Sequence, residues 1–100
     1  MNNQQQLVNL IGLTQRAGKV ISGEELVIKS IQKQEARLVF LANDAGHNLT
    51  KKLTDKSKYY QIEVSTVLNT LELSMAIGKP RKAIAIVDAG FSKKMRTLMD

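Results

Sequence analysis

Arg37-Leu38-Val39-Phe40-Leu41-Ala42-Asn43-Asp44 is the stretch on which the fold turns. Leu38 to Ala42 is an unbroken apolar run of strand length, closed by two short polar residues. A run of this kind suits a strand covered on both faces of its sheet. Ala83-Ile84-Ala85-Ile86-Val87 repeats the pattern and ends at Asp88. Around these two strands the apolar residues recur at helical spacing. Leu7, Leu10, Ile11 and Thr14 mark a first helix over about residues 4–17, which Gly18 closes as a left-handed cap. Lys19-Val20-Ile21 reads as a short strand-like link.

Ser22-Gly23-Glu24-Glu25 matches a capping box, with Glu25 reaching back, and opens a second helix to about Lys33. Its spacing turns Leu26, Val27, Ile28 and Ile31 inward. Asn43-Asp44 suits the cap of a third helix that carries Leu49 and Leu53 one turn apart. Tyr60-Gln61-Ile62-Glu63-Val64 alternates as a half-exposed strand should. Asn69-Thr70-Leu71-Glu72 is another capping box, opening a short helix that stops at Gly78. Phe91 to Leu98 supplies the last helix. Alternation of strands and helices predicts an α/β domain with a mainly parallel sheet and helices on both faces. The 100 residues suit one domain, with no internal repeat or linker.

Composition narrows the function. The net charge is +6, which points to an acidic partner. Zero cysteines remove disulfides and thiolate metal sites and fit a reducing compartment. Met1–Gln6 lacks the basic-then-apolar order of a secretory leader, and no apolar run reaches bilayer length, so a cytoplasmic protein away from membranes is expected. Aromatics make up 4%, with no Trp, which argues against a base-stacking platform.

The case for catalysis is thin. His47 stands alone among Gly46 and Asn48, without the partners of a catalytic or metal site. Asp44 and Asp88 follow the two buried strands; either they cap helices or they pair around magnesium. No phosphate-loop motif is present. Lys51, Lys52, Lys56 and Lys58, with Asp55 among them, read as a solvated helix face. Arg16 and Lys19 flank a helix C-terminus, which the helix dipole favours. Lys79-Pro80-Arg81-Lys82 is different: three cations in four residues, no neighbouring carboxylate, and a proline that stiffens the loop for a ligand. On the second helix, Glu25, Lys29 and Lys33 form a polar stripe behind the small Gly23. That stripe is either an exposed face with a helical ion pair or the approach to a phosphate-binding helix start.

In order and spacing, these motifs resemble the kink-turn-binding ribosomal protein superfamily of the L-seven-Ae type over nearly the whole chain. The residues that carry the resemblance are the glycine-led start of the second helix with Lys29, the Leu-Val-Phe-Leu-Ala-Asn-Asp strand end, Gly78, and the Ala-Ile-Ala-Ile-Val strand. Arg16-Ala17-Gly18-Lys19, Ser22-Gly23-Glu24-Glu25-Leu26 and Asp88-Ala89-Gly90-Phe91 are similar to its bacterial YlxQ subgroup in particular. The resemblance implies a three-layer α-β-α sandwich on a four-stranded mixed sheet. It implies binding of structured RNA, such as ribosomal or other non-coding RNA, without catalysis; a monomer with no cofactor, metal or small-molecule substrate is expected alongside. Carried over to this chain, the RNA-binding residues are Gly23, Glu24, Glu25, Leu26 and Lys29, and the loop Gly78, Lys79, Pro80, Arg81 and Lys82, with Arg16 and Lys19 beside them. The chain departs from the family where Glu25-Leu26 stands for an Asn-Glu-like pair, and where a cationic loop replaces an apolar one. A domain that has kept the fold and binds protein instead is the alternative. The expectation most open to refutation is spatial: the start of the second helix and the cationic loop share one rim.

Overall fold

The computed structural model describes residues 2–99. Five helices and four strands follow in the order α1 (Asn3–Arg16), β1 (Val20–Ser22), α2 (Glu24–Gln32), β2 (Leu38–Leu41), α3 (His47–Tyr59), β3 (Val64–Ser65), α4 (Thr70–Ile77), β4 (Ala83–Ile86) and α5 (Ala89–Thr97). The strands form one sheet in the order β1-β4-β2-β3. The two apolar runs are its centre: β2 and β4 pair antiparallel, with Val39 opposite Ala85. Because side chains alternate across a strand, each run feeds both faces of the sheet. Leu38, Phe40, Ile84 and Ile86 pack with Leu7, Ile11, Leu73 and Met95 from α1, α4 and α5. Val39, Leu41, Ala83 and Ala85 pack with Val27, Ile31 and Leu53 from α2 and α3. A three-layer α-β-α sandwich on a mixed sheet results, as the resemblance implies. Each large side chain buried this completely contributes about 1.5–3 kcal/mol in transfer free energy.

The mainly parallel sheet expected from alternation is not what forms. Only β2 and β3 are parallel; β4 lies antiparallel to both β1 and β2. The last strand inserts between β1 and β2, so the consecutive strands that would make a parallel unit are separated.

Local signals fare unevenly. Gly18 has φ 75° and follows α1, where the Lys19 amide donates to the Thr14 carbonyl and the Gly18 amide to that of Gln15, a Schellman cap. Gly78 ends α4 at φ 79°. Asn69 and Glu72 close the expected capping box, and Asp88 accepts from the Phe91 amide at the head of α5.

Four local expectations fail. Ser22 caps nothing: it is the last residue of β1, paired with Ile84, and Gly23 holds the N-cap position without a side-chain bond. The helix therefore starts one residue later. Its buried line is Val27, Ser30 and Ile31, which leaves Leu26, expected inside, 57% exposed. Asn43-Asp44 does not open α3, whose N-cap is Gly46. The strand expected over 60–64 shrinks to Val64–Ser65. Gln61, at φ 58°, ends α3 in the left-handed position usual for glycine, with the Ile62 amide bonded to the Ser57 carbonyl. Gln34, at φ 60°, ends α2 in the same way, with the Glu35 amide on the Ser30 carbonyl.

Candidate nucleic-acid interface

One residue joins β1 to α2. Gly23 turns the chain at φ 97°, ψ 148°, a region that residues with a Cβ avoid. Its amide donates to the Ala83 carbonyl at 3.1 Å, and its carbonyl accepts from Val27 at 2.9 Å. The first bond ties the head of α2 to the first residue of β4, and so to the turn that precedes β4. The small Ala83 and Ala85 beneath α2 leave room for this close approach.

The turn 78–82 is itself fixed from within. The Ser74 hydroxyl accepts from the Arg81 amide at 3.1 Å and donates to the Arg81 carbonyl at 3.3 Å. The Gly78 and Lys79 amides close onto the Ser74 carbonyl, and the Ala42 amide binds the Lys82 carbonyl at 2.8 Å. The Arg81 guanidinium donates to the Pro80 carbonyl at 2.7 Å. A guanidinium carries five donors, so most of its hydrogen-bonding capacity stays open. A Cβ on Gly23 would lie 3.8 Å from the Arg81 Nε.

Arg81 stands between two open hollows on either side of the α2 start. One is lined by Leu26, Lys29, Lys33, Glu35, Lys79 and Arg81, among others. The other is lined by Gly23, Glu24, Leu49, Pro80, Arg81 and Lys82. The structure thus brings together Gly23, Glu24, Leu26, Lys29, Lys79, Pro80, Arg81 and Lys82. Glu25 and Gly78 are exposed beside them on the same segments. Arg16 lies elsewhere, lining a hollow between α1 and α4 with Leu13 and Met75. Lys19 is exposed, its carbonyl held by the Val87 amide.

Cations outnumber carboxylates on this rim, although Glu35 lines the first hollow and Asp44 lies near Lys82. Among the described residues, Lys29, Lys33, Lys79 and Lys82 form no ion pair. Glu24 does: the Lys52 Nζ of α3 is 3.1 Å from its carboxylate, with both groups about half exposed. A pair this exposed contributes at most about 1 kcal/mol. Glu25 is free of the capping box that its spacing from Ser22 suggests, and both glutamates sit in the first turn, where the helix dipole favours a carboxylate.

Asp44 serves a different helix from the one its place in the sequence suggests. Its carboxylate accepts from the Thr70 hydroxyl at 2.7 Å and the Thr70 amide at 2.9 Å, so it caps α4 across the fold. The hydroxyl first, then the amide, hold its carboxyl below the ordinary value, and the Lys82 charge adds to them against a desolvation that opposes. Asp44 and Asp88 are therefore occupied at the heads of two different helices. Asp44 and Thr70 are 26 residues apart, so no local signal could have shown their pairing.

Comparison with known proteins adds an independent line. The model of the ribosomal protein L7Ae/L30e/S12e/Gadd45 family matches residues 5–96. The chain is 49% identical to the RNA-binding protein YlxQ of Enterococcus faecium, over 98% of this chain and 95% of that one. It is 46% identical to the RNA-binding protein YlxQ of Bacillus subtilis, over 91% and 92%. Among solved structures, a protein of unknown function from Bacillus halodurans C superposes with TM-score 0.89 at 45% identity, over 94% of this chain and 96% of that one. The 15.5kD RNA binding protein of Giardia lamblia shares the fold at TM-score 0.83 with 16% identity, over 97% and 84%.

Proposed function

The chain belongs to the ribosomal protein L7Ae/L30e/S12e/Gadd45 family, and from that premise we propose that it is a non-catalytic RNA-binding module whose target is a structured RNA of the kink-turn kind. The observation that carries this reading is the convergence of the α2 start and the 78–82 turn on one rim, with Arg81 between them. The first turn of α2 enters a groove and offers amides, the Glu24 and Glu25 acceptors, and the exposed Leu26 to base edges and sugars. Lys29, Lys79, Arg81 and Lys82 take backbone phosphates, which position the RNA, while the helix start reads it. Arg16 and Lys19, which precede β1 in the chain, add longer-range attraction. Where the family pattern has a polar pair, Glu25-Leu26 leaves fewer donors, and the added cations shift the balance toward phosphate contact. The bacterial relatives support a bacterial setting; in this reading the chain acts in the cytoplasm as one monomeric domain on ribosomal or other non-coding RNA.

Titration of a kink-turn RNA and a straight duplex over a range of salt tests this. Preference for the kink-turn at every salt concentration is expected. Equal affinity for both would remove the kink-turn, and no binding to either at low salt would remove RNA.

A further inference from the structure

Beyond the rim, α3 carries four lysines, Lys51, Lys52, Lys56 and Lys58, with one carboxylate, Asp55, among them. Helical spacing sorts them into two lines. Lys51, Asp55 and Lys58 share one, and Asp55 neutralises Lys51 at 3.1 Å. Lys52 and Lys56, one turn apart, share the other, and that line borders α2: Lys52 reaches Glu24. The two helices run side by side in the same direction. Glu24 and Leu49 line one hollow near their starts, and Gln34 and Tyr60 line another beyond their ends. Lys56 is half-buried and, among the described residues, forms no ion pair. Helix α2 therefore has cations on both flanks: Lys29, Lys33, Lys79 and Arg81 on the β1 side, and Lys52 and Lys56 on the α3 side.

We propose that Lys52 and Lys56 form a second phosphate-contacting track, gripping the helical stem of the same RNA along the strand opposite the one met by Lys29, Lys33 and Lys79. The proposal rests on the RNA-binding reading above and extends it to a residue row that reading does not use. Two charged rows on either side of α2 match the two backbones that border a nucleic-acid groove. The track is continuous with the rim through the Lys52–Glu24 pair. That exposed pair exchanges for a phosphate at little cost, and Glu24, once released, remains at the positive end of the α2 dipole. The buried side of α3 is supplied by Leu53 and Ser57, so the fold does not need the Lys56 charge.

The test compares the unmodified chain, Lys56→Gln and Lys52→Gln/Lys56→Gln on a kink-turn RNA with full helical stems and on the same RNA cut to minimal stems. Circular dichroism and melting confirm that each variant folds. Lys56→Gln is expected to weaken full-stem binding several-fold and to lower the magnitude of the log–log salt slope by up to about 0.9, leaving minimal-stem binding nearly unchanged. The double variant extends both losses. Unaltered affinity and slope on full stems, or equal loss on both RNAs, overturns the track while the rim stands. Loss of binding to polyglutamate without loss on RNA overturns it in favour of an acidic polypeptide. An unmodified chain that binds neither RNA removes the underlying reading and the track together.

Discussion

Helices α2 and α4 begin in opposite ways. The head of α4 is saturated by protein: Asn69 and Glu72 satisfy each other's amides, and Asp44 reaches across from the end of β2 to take the Thr70 amide. The head of α2 has no side-chain cap, a glycine in a conformation closed to most residues, and two exposed carboxylates in its first turn. The two heads lie close together, and Thr70 and Gly23 border one hollow. The difference lies in what the backbone donors are kept for. A saturated helix start holds the fold in place, whereas an unsaturated one beside unpaired cations is free to hold a ligand.

The contrast can be broken most forcefully at Gly23. Gly23→Ala forces a Cβ into a strained backbone region, at a cost of about 1–3 kcal/mol, while its 3.8 Å approach to Arg81 is an ordinary contact. Denaturant unfolding at the wild-type midpoint would refute the claim that this junction needs glycine. The matching change at the saturated end, Asn69→Ala, is expected to cost about 1 kcal/mol of stability while RNA affinity stays constant. A fall in affinity there would show that α4 is not purely structural. Arg81→Gln/Lys82→Gln should do the reverse. The unfolding midpoint should stay nearly in place while the salt slope falls by about 0.9 for each phosphate no longer neutralised.

Acidity probes the saturated end more gently. Because the folded Asp44 carboxyl lies below its ordinary 3.8, its contribution is complete above that value and is lost as pH falls through the folded value. Melting temperature should therefore drop more steeply below pH 3.8 in the wild type than in Asp44→Asn. Parallel curves would detach Asp44 from the α4 cap. Leu26→Ala should have the smallest effect on stability, within about 0.5 kcal/mol. The same truncation at the buried Ile31 should cost about 2–5 kcal/mol. A Leu26→Ala destabilisation of that larger size would mean that α2 is rotated from the phase described.

The sequence resolves much of the contrast at one end and little at the other. Asn69-x-x-Glu72, Gly18, Gly78 and Asp88 are local devices whose partners lie within a few residues, and each does what its pattern implies. Ser22-x-x-Glu25 carries the same signature and fails, because pairing with Ile84 draws Ser22 into the sheet. The ends of α2 and α3 are hard to read for a related reason: glutamines, not glycines, occupy their left-handed positions. Leu26 stands apart from its neighbours: Val27, Ile28 and Ile31 face the core as their spacing implies, and one helical step back from Val27 carries Leu26 off that face.

Read alone, the chain settles which segments are strands and helices, that two apolar strands form a doubly covered centre, and that its charge suits an anionic partner. These are matters of composition and short-range spacing, where one residue's preference is decided by its near neighbours. The strand order, the antiparallel setting of β4, the reach of Asp44 to Thr70, and the hydrogen bond that draws Gly23 to Ala83 belong to the tertiary structure. Each joins residues far apart in sequence. Such pairings are chosen by how whole helices and strands bury their apolar faces together, which no local window records.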